Sequence, residues 1–273
     1  MTFMRHLWLS VIFGWSMMIV SVVTFAREPF EDVCHASIKM GPGAGQDGRP
    51  VAVLYVMDGD RLGSLVSAMC SYLSSGKGAT SACVVVAVET QDRTTNFTPT
   101  QSQFGRDGQV IAGPAIGGGA RQMAECLLTQ VKPEISKRLL DVPLKHVLMG
   151  HSFGGLFTLW TMTEHPTAFD AWVAADPSLW WDRGILIKEL QKNRGTHGPH
   201  WVYTGFASAL KNQKTTAAWN LKKLSDFREA LTTKRQPPTE TVIQMYSDET
   251  HGTIAVPVFY DALKRLLVNR PSV

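Results

Sequence analysis

Short apolar runs and stretches with helical periodicity alternate along most of this chain. Apolar runs typical of buried strands fall at 53–57, 86–88, 147–149, 171–175, 200–205 and 241–246. Helical periodicity predicts helices at 62–73, 120–140, 156–162, 217–231 and 259–267, the second of them bent near Pro133. Strands that alternate with helices predict an α/β fold, with a mainly parallel sheet and helices on both faces.

The sequence Gly-His-Ser-Phe-Gly-Gly at 150–155 joins a predicted strand to a predicted helix. A serine between two glycines at such a turn is typical of a nucleophile elbow, in which the tight turn leaves no room for side chains beside the serine. The turn would place Ser152 Oγ above the end of the sheet and aim the backbone N–H of Phe153 towards a developing oxyanion. We therefore interpret Ser152 as the nucleophile of an α/β-hydrolase and Phe153 as one oxyanion donor.

A nucleophilic serine needs a base, which this fold supplies as a histidine after its last strand. His251 fits, because it follows the run at 241–246 and a polar turn, and it precedes the helical pattern at 259–267. His151, the neighbour of the nucleophile in the elbow, is expected to point away from it. The chain contains neither an H-E-x-x-H helix motif nor a C-x-x-C pair, so no metal or cofactor site is indicated.

Five separated motifs resemble the enterobactin-esterase-like branch of the esterase D superfamily, which includes siderophore esterases and S-formylglutathione hydrolases. In chain order they are the segments at 53–59, 86–99 and 150–155, then Asp-Pro-Ser-Leu-Trp-Trp-Asp at 176–182, and finally His251-Gly252. The resemblance covers about two-thirds of the chain and implies the α/β-hydrolase fold, with a shortened region before Val51. It also implies that the second oxyanion donor is the backbone N–H of Asp60.

The acid of a catalytic triad is missing from its usual place. Most α/β-hydrolases carry it after the strand that corresponds to 200–205, yet 206–210 contains no carboxylate. Either the enzyme uses a Ser-His dyad, or the acid has moved. Asp176, in an Asp-Pro turn after the strand at 171–175, is the first candidate, followed by Asp226 and Glu249.

Composition and charge agree with one globular enzyme domain. The chain has 273 residues, of which 44% are hydrophobic and 18% charged, enough for a full core. The formal net charge is +4, and no dense Lys/Arg block is interleaved with aromatic residues, so nucleic-acid binding is not indicated. The mild positive charge favours an anionic substrate without deciding the matter.

The N-terminus has the pattern of a Sec signal peptide at 1–26, ahead of a hydrolase domain at 27–273. Arg5 precedes an apolar stretch at 7–23, and Thr24 and Ala26 form a small-x-small cleavage site. Cleavage predicts a periplasmic or secreted enzyme. Because the apolar stretch approaches the length of a membrane span, an uncleaved anchor is the alternative, and only then would the membrane be a partner.

Four cysteines follow the predicted leader, and an oxidising compartment would allow them to pair. Cys70 lies late in the predicted helix at 62–73 and Cys83 starts the next strand, so these two are the first choice for a disulfide. The other two are Cys34 and Cys126. Buried free thiols are the alternative.

The resemblance implies an esterase that opens a siderophore trilactone of the enterobactin type, so the expected partner is a small-molecule ester such as a ferric catecholate siderophore. Trp180 could stack on catechol rings and Arg93 could bind their oxygens. Alternatively, the tryptophan packs in the core and the arginine bridges loops. Two other functions stay open: a general carboxylesterase or thioesterase for feruloyl, acetyl or S-formylglutathione substrates, and a non-catalytic envelope binding module on a hydrolase scaffold.

Overall fold

A computed structural model describes residues 24–25, 33–40, 50–75, 82–139, 144–192, 201–207, 214–232 and 240–267. The predicted signal peptide lies outside the described residues, apart from Thr24 and Phe25. Among the helices that are described, none is both long and apolar enough to cross a membrane.

The strands form one large sheet and one small hairpin. In chain order they are β1 (Thr24–Phe25), β2 (His35–Met40), β3 (Pro50–Met57), β4 (Ala82–Glu89), β5 (Gln101–Ser102), β6 (Ile116–Gly117), β7 (Lys145–His151), β8 (Ala171–Ala175), β9 (Trp201–Ala207) and β10 (Glu240–Tyr246). The described part of the large sheet has the order β1-β2-β4-β3-β7-β8-β9-β10. Pairing is parallel from β4 to β10, and the predicted mainly parallel sheet is confirmed.

An antiparallel pair forms one edge of this sheet. β2 runs antiparallel to β4, and β1 pairs with β2 at Thr24↔Ser37 and Phe25↔Ala36. The region before Val51, although short, therefore still supplies two antiparallel strands. Among the described strands, β5 and β6 form a separate pair.

Helices cover both faces of the sheet, as predicted. They are α1 (Gly59–Ser75), α2 (Arg93–Asn96), α3 (Ala120–Cys126), α4 (Lys132–Arg138), α5 (Phe153–Glu164), α6 (Ile185–Lys192), α7 (Lys214–Thr232) and α8 (Ala255–Leu267). Buried residues of α1 and α8 pack in one hydrophobic cluster with one face of the strands. Buried residues of α3 to α7 pack in a second cluster with the other face.

The helix predicted at 120–140 is interrupted by a π-turn at Leu127–Val131, between α3 and α4. Pro133 follows it directly, at the start of α4. Proline lacks an N–H and its ring clashes with the carbonyl four residues earlier, here Thr129, so a wider turn before it relieves the conflict. In place of the predicted bend near Pro133, the helix has one widened turn just before this proline.

Two disulfides each tie a helix to the edge region of the sheet. Cys70 of α1 is bonded to Cys83 of β4, the pair that the sequence favours. Cys34, just before β2, is bonded to Cys126 at the end of α3. Each disulfide lies within one of the two hydrophobic clusters, so the buried free-thiol alternative does not hold.

Candidate active site

Ser152 stands in a tight turn between the end of β7 and the start of α5. Its backbone has φ 60° and ψ −116°, a strained conformation for a residue with a side chain. A Cβ on Gly150 would lie 2.2 Å from the backbone of Gly154, and one on Gly154 would lie 3.1 Å from Met57 Cβ. Close packing around the turn therefore requires glycine at 150 and leaves little room for a side chain at 154, as expected for a nucleophile elbow.

A continuous hydrogen-bond chain links Ser152 to two side chains from other loops. His251 Nε2 lies 3.0 Å from Ser152 Oγ, and His251 Nδ1 lies 2.7 Å from Asp176 Oδ2. His251 comes from the turn after β10, and Asp176 directly follows β8. The arrangement has the order and distances of a nucleophile, a base and an orienting acid.

Asp176 reaches His251 because of the turn in which it sits. Its φ is 41°, and its N–H donates to the Gly205 carbonyl of β9 at 2.7 Å. The other two carboxylates considered from the sequence are placed differently: Asp226 accepts from Lys222 on α7, and Glu249 lies in the turn before His251 without a hydrogen bond to its ring among the described residues. The geometry favours a moved acid over a dyad.

The two expected oxyanion donors lie at the starts of helices. Phe153 is the first residue of α5, and Asp60 is the second residue of α1. The first N–H groups of a helix have no intrahelical acceptor, so both can bind an anion. In the first turn of α1 the Asp58 carbonyl accepts hydrogen bonds from the N–H groups of Arg61 and Leu62. The N–H of Asp60 takes no part in these two bonds. The side chain of Asp60 is exposed.

Backbone strain is concentrated around this group of loops. Asp58, Ser152 and Asp176, each with positive φ, directly follow the neighbouring strands β3, β7 and β8. Asp182 and Arg183 are the remaining non-glycine residues with positive φ in the described chain. Strained residues of this kind persist where the surrounding structure fixes a functional geometry.

Arg93 contacts the protein itself rather than standing free for a substrate. Its Nε donates to Asp58 Oδ1 at 2.5 Å and its Nη2 to Asp58 Oδ2 at 3.0 Å. Nη2 also donates to the His151 carbonyl at 3.2 Å. Three contacts to two loops support the loop-bridging alternative and make Arg93 a weak candidate for substrate binding. The sequence did not indicate its partner, Asp58.

Trp180 lies beside the candidate site in a half-buried position. Its ring is 5.7 Å from that of Phe153, which follows the nucleophile, and the guanidinium of Arg106 lies 5.7 Å from the Trp180 ring centroid. The neighbouring Trp181 is buried, and its Nε1 donates to the Thr100 carbonyl at 3.1 Å. Of the two tryptophans, Trp180 is thus the one placed to meet a substrate, and Trp181 packs in the core.

The Ser178 hydroxyl and the His151 imidazole lie next to the Ser152–His251–Asp176 hydrogen bonds. Ser178 Oγ lies 3.4 Å from Ser152 Oγ, and His151 Nε2 lies 2.7 Å from the His251 carbonyl oxygen. Burial lowers the pKa of His151, and the nearby His251 lowers that pKa further. The ring of His151 contacts the base His251, a contact that the sequence did not indicate.

Comparison with known proteins identifies a family for this chain. Residues 37–245 match the family model described as "Putative esterase". The chain is 25% identical over 146 residues to the siderophore triacetylfusarinine C esterase of Aspergillus fumigatus, an alignment that covers 53% of this chain and 50% of that relative. The chain therefore spans about half the length of this curated relative.

Solved structures show the same fold. Siderophore hydrolase EstB from Aspergillus nidulans has a TM-score of 0.76 at 18% identity, covering 93% of this chain and 96% of that one. An IroE-like serine hydrolase from Shewanella oneidensis has a TM-score of 0.71 at 21% identity. This alignment covers 86% of this chain and 75% of that one. The resemblance read from the sequence motifs is confirmed: this chain belongs to the esterase family, a group of ester-hydrolysing enzymes with the α/β-hydrolase fold.

Proposed function

We propose that this protein is a serine esterase that hydrolyses carboxylic esters through an acyl-enzyme on Ser152. The hydrogen-bond chain from Ser152 through His251 to Asp176 is the observation that supports it best. A non-catalytic binding module would have no need to hold these three groups at 3.0 and 2.7 Å on a strained turn.

In the proposed reaction, His251 Nε2 takes the proton of Ser152 as Oγ attacks the ester carbonyl. Asp176 holds the imidazole in the tautomer with its proton on Nδ1 and stabilises the imidazolium that forms. The N–H groups of Phe153 and Asp60 bind the oxyanion, and each such donor is worth about 3 kcal/mol. The tetrahedral adduct then expels the alcohol, which takes the proton from His251, and water repeats the sequence to release the acid.

We further propose that the substrate is a siderophore ester, with a ferric catecholate of the enterobactin type as the first candidate. The relative from Aspergillus fumigatus is named as an esterase of a siderophore. Trp180 offers an aromatic surface next to Phe153, and the exposed Arg106 lies over its ring. The exposed Arg183 lies over the ring of Phe104. Neither guanidinium has a carboxylate partner among the described residues. Unpaired guanidinium groups beside an aromatic ring suit an anionic aryl ester.

A substrate panel on the mature domain tests both levels of the proposal. We expect hydrolysis of ferric and iron-free enterobactin to exceed that of p-nitrophenyl acetate, feruloyl esters and S-formylglutathione in kcat/KM. Ser152→Ala should abolish all activity, and His251→Ala should lower it at least ~10³-fold. Turnover of simple esters alone would leave a general carboxylesterase, and full activity of Ser152→Ala would refute the serine mechanism.

We also propose a periplasmic or secreted location, supported by the signal-peptide pattern at 1–26. Fractionation should then recover a soluble chain that begins near Arg27. Recovery of the full-length chain in the membrane pellet would instead indicate an uncleaved anchor.

A further inference from the structure

We infer that His151, the residue before the nucleophile, holds the backbone of the base His251 in place and is a positioning residue for the proposed esterase reaction. His151 is 5% exposed and lies at the end of β7, against the turn that presents His251. Its Nε2 is 2.7 Å from the His251 carbonyl oxygen, and the centroids of the two rings are 4.7 Å apart.

The turn that carries His251 has few other attachments. Inside it, Thr250 and Thr253 bond to each other through their backbones and hydroxyls. Among the described residues, the hydrogen bonds that join Thr250–Thr253 to parts of the fold beyond α8 all involve His251. Two of these are the bonds of its ring to Asp176 and Ser152, so the bond from His151 is the one that fixes its backbone.

The chemistry of this contact determines the form of His151. A carbonyl oxygen only accepts, so Nε2 of His151 must bear the proton. Burial, which lowers the pKa of His151, together with the nearby imidazole of His251, favours the neutral ring near pH 7. The other charged groups beside it are Asp176 after β8 and Asp58 after β3, which both raise its pKa by less than burial lowers it, and Arg93, whose Nη2 donates to the His151 carbonyl. A neutral donor anchors the base without placing a second cation beside the imidazolium that forms during acylation.

A positioning role predicts a loss in turnover rather than in substrate binding. Displacement of a catalytic group by about 1 Å can cost on the order of 10²-fold in rate. Glutamine and methionine have similar size and shape, but only glutamine has a side-chain N–H that can donate to the carbonyl. His151→Gln and His151→Met therefore form a matched pair that separates the hydrogen bond from the packing.

The test uses p-nitrophenyl ester hydrolysis by the full enzyme. We expect His151→Met to lower kcat about 10- to 100-fold with KM changed less than about threefold, and His151→Gln to stay within about fivefold of the wild type. Equal losses in the two variants, or a kcat near that of the wild type in His151→Met, would overturn the inference. An inactive Ser152→Ala variant beside a fully active His151→Met variant would refute the positioning role alone, whereas an active Ser152→Ala variant would refute the reaction on which it rests.

A measurement on the wild type covers the case in which a variant fails to fold. In enzyme labelled with ¹⁵N-histidine, the nitrogen spectrum at pH 7.5 should show the His151 ring neutral, with its proton on Nε2 and protected from exchange. Assignment of that ring to His151 through its ring protons would support the inference. A His151 ring protonated on Nδ1 alone would contradict it.

Discussion

Asp176 has φ 41°, a backbone conformation that most side chains avoid. Aspartate and asparagine tolerate the left-handed region because their short polar side chains bond locally. The same turn sends the Asp176 carboxylate to His251 Nδ1 at 2.7 Å. Asp176 thus combines a strained backbone with the proposed catalytic contact. A substitution that keeps the backbone conformation but removes the carboxylate charge tests the catalytic contact alone.

We predict that Asp176→Asn folds normally and lowers kcat by up to ~10⁴-fold, because the acid sets the tautomer of His251 and stabilises its imidazolium. The loss should not add to that of His251→Ala, since the two residues act as one unit. Steady-state kinetics of the single and double variants test this. Asp226→Asn, which changes a carboxylate paired with Lys222 on α7, is the control. A change in kcat below about threefold for Asp176→Asn would leave Ser152 and His251 as a dyad.

At the scale of elements, the ion pair between Arg93 and Asp58 connects three loops at the end of the sheet. Asp58 is 4% exposed and precedes α1, whose second residue is the proposed oxyanion donor Asp60. Arg93 begins α2 and also bonds to the carbonyl of His151, one residue before the nucleophile. The pair therefore fixes one oxyanion donor relative to the nucleophile.

We predict that Arg93→Met lowers the free energy of unfolding by about 1–3 kcal/mol, because it leaves the buried Asp58 carboxylate unpaired. It should also lower kcat. Arg93→Lys should restore little of either, since an ammonium cannot form the two parallel hydrogen bonds. Urea unfolding and ester kinetics measure the two effects.

Arg121→Met is the matched control. Arg121 pairs with Glu164 but is 71% exposed, so we expect the free energy of unfolding to fall by no more than about 0.5 kcal/mol. Equal losses at the two sites would contradict the prediction.

Most of the longer strands and helices follow from apolar spacing in the sequence, for example β8 and the helix α5 after the elbow. The six-residue β2 and the eight-residue α6 were not predicted. The hairpin of β5 and β6 was not predicted, because two-residue strands have no period and the glycines at 113–119 indicate only a loop. Contacts between residues far apart in the sequence were also missed, because apolar spacing reports only on neighbouring positions. The Arg93–Asp58 pair spans 35 residues and the His151–His251 contact spans 100.

At the scale of the whole molecule, each face of the sheet has its own covalent crosslink. The Cys34–Cys126 disulfide joins the antiparallel edge of the sheet to α3, with a sequence separation of 92 residues. The Cys70–Cys83 disulfide joins α1 to β4, with a separation of 13 residues. Their Cα–Cα distances of 6.5 and 6.2 Å lie within the range usual for disulfides. Such crosslinks stabilise mainly by restricting the unfolded chain, and more so for longer loops.

We predict that the double variant Cys34→Ala/Cys126→Ala loses more stability than Cys70→Ala/Cys83→Ala, although each removes one disulfide from a buried site. The chain-entropy model gives about 4.6 kcal/mol for the longer loop and about 2.9 kcal/mol for the shorter one, a difference of about 2 kcal/mol. Both variants lose the same side-chain volume, so the cost of the cavities largely cancels in the comparison. Urea unfolding at pH 7.5 measures both, and wild-type protein unfolded and reduced with dithiothreitol before refolding should fall below either variant. Equal losses would mean that native packing around the cysteines, not the length of the closed loop, determines the effect.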